Sequence, residues 1–98
     1  MAKIVWSEAA LDWMQRIDAF LAERSPAAAV KTLEGIIERV EMLGKNPRSG
    51  GMLPEKLPRD VRMTLYGNYR IIYEVYGDEE VRILVVVHAA MDLSRIEL

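Results

Sequence analysis

No cysteine occurs in the 98 residues, which excludes disulfides, thiolate chemistry and every cysteine-based zinc site. Histidine is nearly as scarce. His88 stands alone, so a transition-metal centre built on imidazoles is excluded and no cofactor is expected. No apolar run approaches the roughly 20 residues that span a bilayer, and no basic-then-apolar leader opens the chain. Strong positive charge is missing as well: 13 Lys and Arg against 15 Asp and Glu leave a formal net charge of −2. Modules whose whole surface grips a phosphate backbone are usually strongly basic. The expectation is a cytoplasmic domain with no membrane contact and no sequence-specific nucleic-acid binding of its own. At 51% apolar and 29% charged the chain is neither disordered nor fibrous, and its length allows one domain over residues 1–98.

Ile4-Val5-Trp6 forms a short apolar stretch, and Ser7 after it suits a helix N-cap. From Glu8 to about Arg24, Ala10, Trp13, Met14, Ile17, Phe20 and Leu21 recur at steps of three and four, the period of a helix. Ser25-Pro26 then supplies a second cap and a first-turn proline. The following helix runs to about Leu43 on a stripe of Ala29, Leu33, Ile36, Val40 and Leu43. Gly44 fits the left-handed residue past its end, with Pro47 blocking resumption. So short a connection makes the two helices an antiparallel hairpin. Lys45 to Asp60 reads as a linker, with Asn46, Pro47, Gly50, Gly51, Pro54 and Pro58. Beyond it the period drops to two: Val61–Tyr66, Tyr69–Tyr76 and Val81–His88 read as strands, joined at Gly67-Asn68 and Gly77-Asp78-Glu79-Glu80 into an antiparallel meander. The tail from Ala89 is either a short helix or a strap.

Alternation sorts the meander into two faces. Met63, Leu65, Tyr69, Ile71, Tyr73, Val75, Val81, Ile83, Val85 and Val87 are expected to cover the helices. Arg62, Thr64, Tyr66, Arg70, Ile72, Glu74, Tyr76, Arg82, Leu84, Val86 and His88 are expected on a wetter face where a partner would land. Of the tyrosines, Tyr69 and Tyr73 suit the core, Tyr66 and Tyr76 the surface.

The fold class is therefore α+β: a short N-terminal strand, an antiparallel two-helix hairpin on an antiparallel meander, and a short C-terminal tail. That order resembles the RelE/ParE superfamily of bacterial toxin–antitoxin modules. The residues carrying the likeness are Trp6-Ser7, Leu43-Gly44-Lys45-Asn46-Pro47 with Gly50, Val61-Arg62-Met63, Tyr69-Arg70-Ile71-Ile72-Tyr73-Glu74-Val75, Val87-His88 and Met91-Asp92-Leu93. RelE-like members are ribosome-dependent messenger-RNA endonucleases; ParE-like members bind a type II topoisomerase, DNA gyrase, and trap it on DNA. Cleaving RNA requires clustered basic groups and a general acid or base. Where the ribonuclease branch carries a basic residue late in its first meander strand, this chain has Thr64-Leu65-Tyr66. Where that branch has an arginine after the last strand, it has Ala89-Ala90-Met91, and Leu93–Leu98 holds no aromatic and only Arg95 as a base. The resemblance thus implies a ParE-like toxin that is not an enzyme and has no catalytic residue. Its implied partners are the topoisomerase and a ParD-like antitoxin encoded by the adjacent gene. A RelE-like endonuclease and a non-toxic adaptor that kept the fold are the alternatives.

Candidate contact residues follow. The apolar arc of the first helix, from Phe20 and Trp13 through Ala10 and Leu21 to Leu11, spans roughly 180°, more than the ~100° that one core needs. Trp13 and Phe20 lie seven apart on one edge, as do Val30 and Ile37 in the second helix. These four are either core or the lining of an antitoxin groove, since the resemblance implies an antitoxin helix over this region. Six basic residues against two acidic ones lie between Lys45 and Arg70. Within this stretch Arg59, Arg62 and Arg70, joined by His88, are candidates for a target or partner contact. The alternative is that Arg62 or Arg70 pairs with Asp60 or Glu74 to fix the sheet, and that His88 bonds to backbone.

Overall fold

A computed structural model describes all 98 residues. The chain runs β1 (Lys3–Trp6), α1 (Glu8–Ala22), α2 (Pro26–Lys45), β2 (Gly51–Met52), β3 (Val61–Tyr66), β4 (Tyr69–Tyr76) and β5 (Glu80–His88), with single 3-10 turns at Pro54–Lys56 and Leu93–Arg95. The strands form one five-stranded sheet in the order β1-β5-β4-β3-β2. β1 pairs parallel with β5, and every other pairing is antiparallel. The expected α+β architecture is present, with a second short strand, β2, inside the stretch read as linker.

Local chemistry sets the helix starts. The Ser7 hydroxyl accepts the Ala10 N–H at 3.0 Å and donates to the Leu84 carbonyl at 2.9 Å, so one side chain caps α1 and ties it to β5. Ser25 accepts from the Ala28 N–H, and Pro26 takes the first position of α2. Gly44 does not end the helix as its composition suggests. It is helical and buried, because the N-terminal segment crosses there: the Ala2 N–H donates to the Gly44 carbonyl at 2.8 Å, and a Cβ on Gly44 would lie 3.1 Å from the Ala2 carbonyl oxygen. Close approach, not a left-handed turn, explains this glycine. Gly67 does adopt a positive φ, 56°, at the first position of the β3–β4 turn, while Asn68 does not, which is the II′ pattern that suits strand twist.

That two-residue turn overturns part of the expected face assignment. It pairs Tyr66 with Tyr69, so even-numbered residues of β3 stand opposite odd-numbered residues of β4: Arg62 opposes Tyr73, and Leu65 opposes Arg70. Arg62, Thr64 and Tyr66 therefore share the helix side, whereas Met63 and Leu65 lie on the outer face. A second correction comes from β5. Ile72 faces Val85 and Tyr73 faces Ile83, so Leu84 is an extra, bulged residue. Beyond it the alternation reverses. Val86 and His88 turn to the helix side and Val85 and Val87 to the outer face, the opposite of the simple reading.

The main core joins Ala10, Met14, Ile17, Ile36, Val40 and Leu43 of the helices to Ile71, Tyr73, Val75, Val81, Ile83 and Val86 of the sheet. Each buried aliphatic side chain contributes about 1.5–3 kcal/mol. Nor is the outer face wet. Val61, Ile72, Val85 and Val87 are buried there beneath Leu53, Leu93, Ile96 and Leu98, so the C-terminal tail is a strap carrying one 3-10 turn. Tyr66 departs from its expected surface place: its ring packs on the core so closely that a Cβ on Gly35 would meet it at 2.1 Å. Tyr76 is exposed.

Candidate functional site

The helix hairpin keeps apolar surface that the core does not use. Leu11, Val30 and Ile37 are 49%, 57% and 41% exposed. With Trp6, Met14 and Leu33 they line an open groove of about 630 Å³ between α1 and α2, and the charged groups along it are Asp18 and Glu34. No helix is long and apolar enough to cross a membrane. An exposed apolar strip with a polar border is the form that receives an amphipathic helix.

Trp13 and Phe20 are not part of it. They lie on the other flank of α1, in a slot of about 330 Å³ whose floor and far wall are Ile17, Tyr69, Val87 and Met91. One helix cannot cover all four of the residues singled out from the sequence. Two cations border this slot in a way the helical spacing could have shown. Arg16, three residues after Trp13, has its guanidinium 5.1 Å from that ring, and Arg24, four after Phe20, stands 4.1 Å from that one. The acids of the first groove were equally legible, since Glu34 falls between Val30 and Ile37 on the same helical edge.

The four candidate cationic contacts separate too. Arg62 is a clamp: its Nε donates to Asp60 at 2.8 Å and its Nη1 to the carbonyls of Arg48 and Gly50 at 3.0 Å each, leaving the side chain 13% exposed. It thereby holds the linker against Tyr73, whose hydroxyl accepts the Gly50 N–H at 2.9 Å and whose ionisation burial pushes up. Arg59 grips Glu74 with two bonds, 3.2 and 2.6 Å, and donates to the Leu98 carbonyl at 2.8 Å, fixing the strap. That guanidinium holds the buried Glu74 carboxyl below the usual range, helped by the Tyr76 hydroxyl and opposed by desolvation. Arg48 is likewise shared between Asp60 and Asp78. Three cations of the basic stretch are thus occupied inside the molecule. Arg70 makes no ion pair and lies on the outer face, across from Leu65 and Val87.

His88 bonds to backbone: its Nδ1 accepts the Ala90 N–H at 3.0 Å, and its ring meets Tyr69 edge-on at 5.6 Å. A ring with Nδ1 so engaged carries its proton on Nε2. No group of three His, Asp or Glu side chains is placed to hold a metal ion.

Against known proteins, no curated relative matches the sequence. Among solved structures, a chain of the chromosomal ParDE toxin–antitoxin system from P. aeruginosa superposes with a TM-score of 0.71 at 24% identity, over 90% of this chain and 96% of that one, a likeness of fold. The model of the ParE toxin of the type II toxin–antitoxin system parDE matches residues 4–93. The capped helix hairpin, the meander and all but the first residue of β1 fall inside that span, and the chain belongs to the ParE toxin family.

Proposed function

We propose that this ParE-type toxin acts by binding, with DNA gyrase as its target, and that a cognate ParD-like antitoxin silences it by laying a helix between α1 and α2. The observation that carries the antitoxin reading is the exposed strip of Leu11, Val30 and Ile37 beside Asp18 and Glu34. Its open apolar floor suits a helix, and its carboxylates suit an occupant with basic residues beside the apolar ones. Of the four residues first assigned to this contact, Val30 and Ile37 keep it, and Trp13 and Phe20 leave it because they face the other way. Family membership supports the target. Action by binding rather than by RNA cleavage is supported by the stretches Thr64-Leu65-Tyr66 and Ala89-Ala90-Met91, which carry no basic residue, and by a histidine whose Nδ1 is engaged with backbone. Of the cationic contacts, Arg70 and the Nε2 of His88 remain available to a target, on opposite faces of the sheet, while Arg59 and Arg62 are engaged inside the molecule.

Purified protein added to gyrase is expected to inhibit supercoiling or to leave cleaved DNA, and added antitoxin to reverse the effect. Undisturbed supercoiling together with new 5′ ends in translated messenger RNA would overturn the proposal in favour of an endonuclease. Neutrality in both assays would leave an adaptor.

A further inference from the structure

The slot behind α1 differs from the antitoxin groove in every polar group it shows. Its two polar lining residues are Arg16 and His88, and Arg24 stacks on the outer side of Phe20. Each offers donors. The Arg16 and Arg24 guanidiniums have no acceptor atom, and His88, with Nδ1 taken by Ala90, presents Nε2–H. Arg16 already touches Asp12 at 2.8 Å, but both side chains are more than half exposed, and a pair of that kind is readily shared with a second carboxylate. The slot's body is apolar, and Phe20 is 55% exposed, so burying it against a partner is favourable.

We propose that this slot is a second docking surface, independent of the antitoxin groove, for a short segment of another protein that carries an apolar side chain between carboxylates. The apolar side chain fills the space between Trp13, Phe20 and Tyr69, while the carboxylates meet Arg16, Arg24 and the Nε2 of His88. Charge complementarity selects this occupant over a basic helix, which the groove with Asp18 and Glu34 would take instead. Single-stranded nucleic acid fits less well. The guanidiniums of Arg16 and Arg24 each take one face of the Trp13 and Phe20 rings, which leaves a base one face at most to stack on, and the chain as a whole is acidic. Since α1 itself, about 10 Å thick, stands between the two surfaces, both can be filled together.

The two tryptophans make the test direct, because Trp6 lines the groove and Trp13 the slot. Isotope-labelled wild-type protein is titrated with a short peptide bearing a central leucine–phenylalanine pair between acidic residues, following both indole N–H signals. The lysine-flanked version of the peptide and a thymidine oligonucleotide serve as competitors in kind. The expected result is a saturable shift of the Trp13 signal alone, weakened by salt and by Phe20→Ser, and weakened at least ~10-fold by Arg16→Glu. The same shift should persist in the purified toxin–antitoxin complex. A Trp13 signal that stays still at millimolar peptide, that responds equally to the lysine peptide or better to the oligonucleotide, or that the antitoxin blocks, overturns the proposal. Because gyrase is absent from the titration, failure here is distinct from failure of the gyrase reading.

Discussion

The two flanks of α1 share a helix, a core and a hydrophobic driving force, yet they suit opposite partners. On the side facing α2, Leu11, Val30 and Ile37 are accompanied by Asp18 and Glu34. On the side facing the end of the sheet, Trp13, Phe20 and Tyr69 are accompanied by Arg16, Arg24 and His88. Apolar area supplies attraction to almost any partner; the sign of the bordering charge decides which partner stays. A single helix of 15 residues can therefore present two distinct recognition surfaces. The device is an apolar arc wider than its core requires, with Asp18 on the margin that faces α2 and Arg16, paired with Asp12, on the other.

The largest effect should come from the floor of the slot. Ile17 is 7% exposed and belongs both to the core and to the slot. Ile17→Ala should cost about 2–5 kcal/mol in denaturant melts and weaken the acidic peptide, while the folded variant still binds antitoxin in the groove that Ile17 does not line. Equal loss on both flanks at a temperature where the variant is folded would break the separation. Next, Val30→Asp with Ile37→Asp should reduce antitoxin affinity ~100-fold, about 2.7 kcal/mol, while the melting temperature holds, since both side chains are exposed. A binding titration beside thermal melting checks this, and loss of the acidic-peptide shift in the same variant would break the separation.

A smaller change tests whether the outer face matters to either flank. Glu74→Gln removes the charged partner of Arg59 and should cost about 1.5–3 kcal/mol at neutral pH. The folded carboxyl titrates below its ordinary value of 4.5 because the Arg59 guanidinium favours its charged form. Its stabilisation is therefore complete above that value and disappears as pH falls through the lower folded one. Melts between neutral and acid pH should decline for the wild type and decline less for Glu74→Gln, with both grooves still binding near neutrality. The smallest effect on the fold belongs to Asp12→Asn. It breaks an exposed pair with Arg16 and should shift stability by less than ~0.5 kcal/mol, yet tighten the acidic peptide by freeing the guanidinium.

Much of this was legible in the residues. Serine caps at 7 and 25, the helical period through Leu21 and the alternation after Val61 give the helices and the meander in their observed places. Two features were not. Which face a β3 residue takes depends on the turn pairing Tyr66 with Tyr69, and which face the end of β5 takes depends on the bulge at Leu84. Either one reverses every assignment beyond it, because side chains alternate with a period of two. Hence Arg62 and Arg70, neighbours on paper, lie on opposite sides of the sheet. The basic stretch misled for another reason. Sequence counts charges and offers Arg62 with Asp60 as a pair, which forms, but only the folded chain brings Arg48 to Asp78 and Arg59 to Glu74. In the same way, the span of the apolar arc on α1 was visible, while its division into two surfaces awaited the position of α2.

The most direct test of that division follows both indole signals in the labelled wild-type toxin as cognate antitoxin is added. The Trp6 signal should move and the Trp13 signal should stay where it is. A shift confined to Trp13, or an equal shift of both, would contradict the assignment of the antitoxin to the acid-bordered groove.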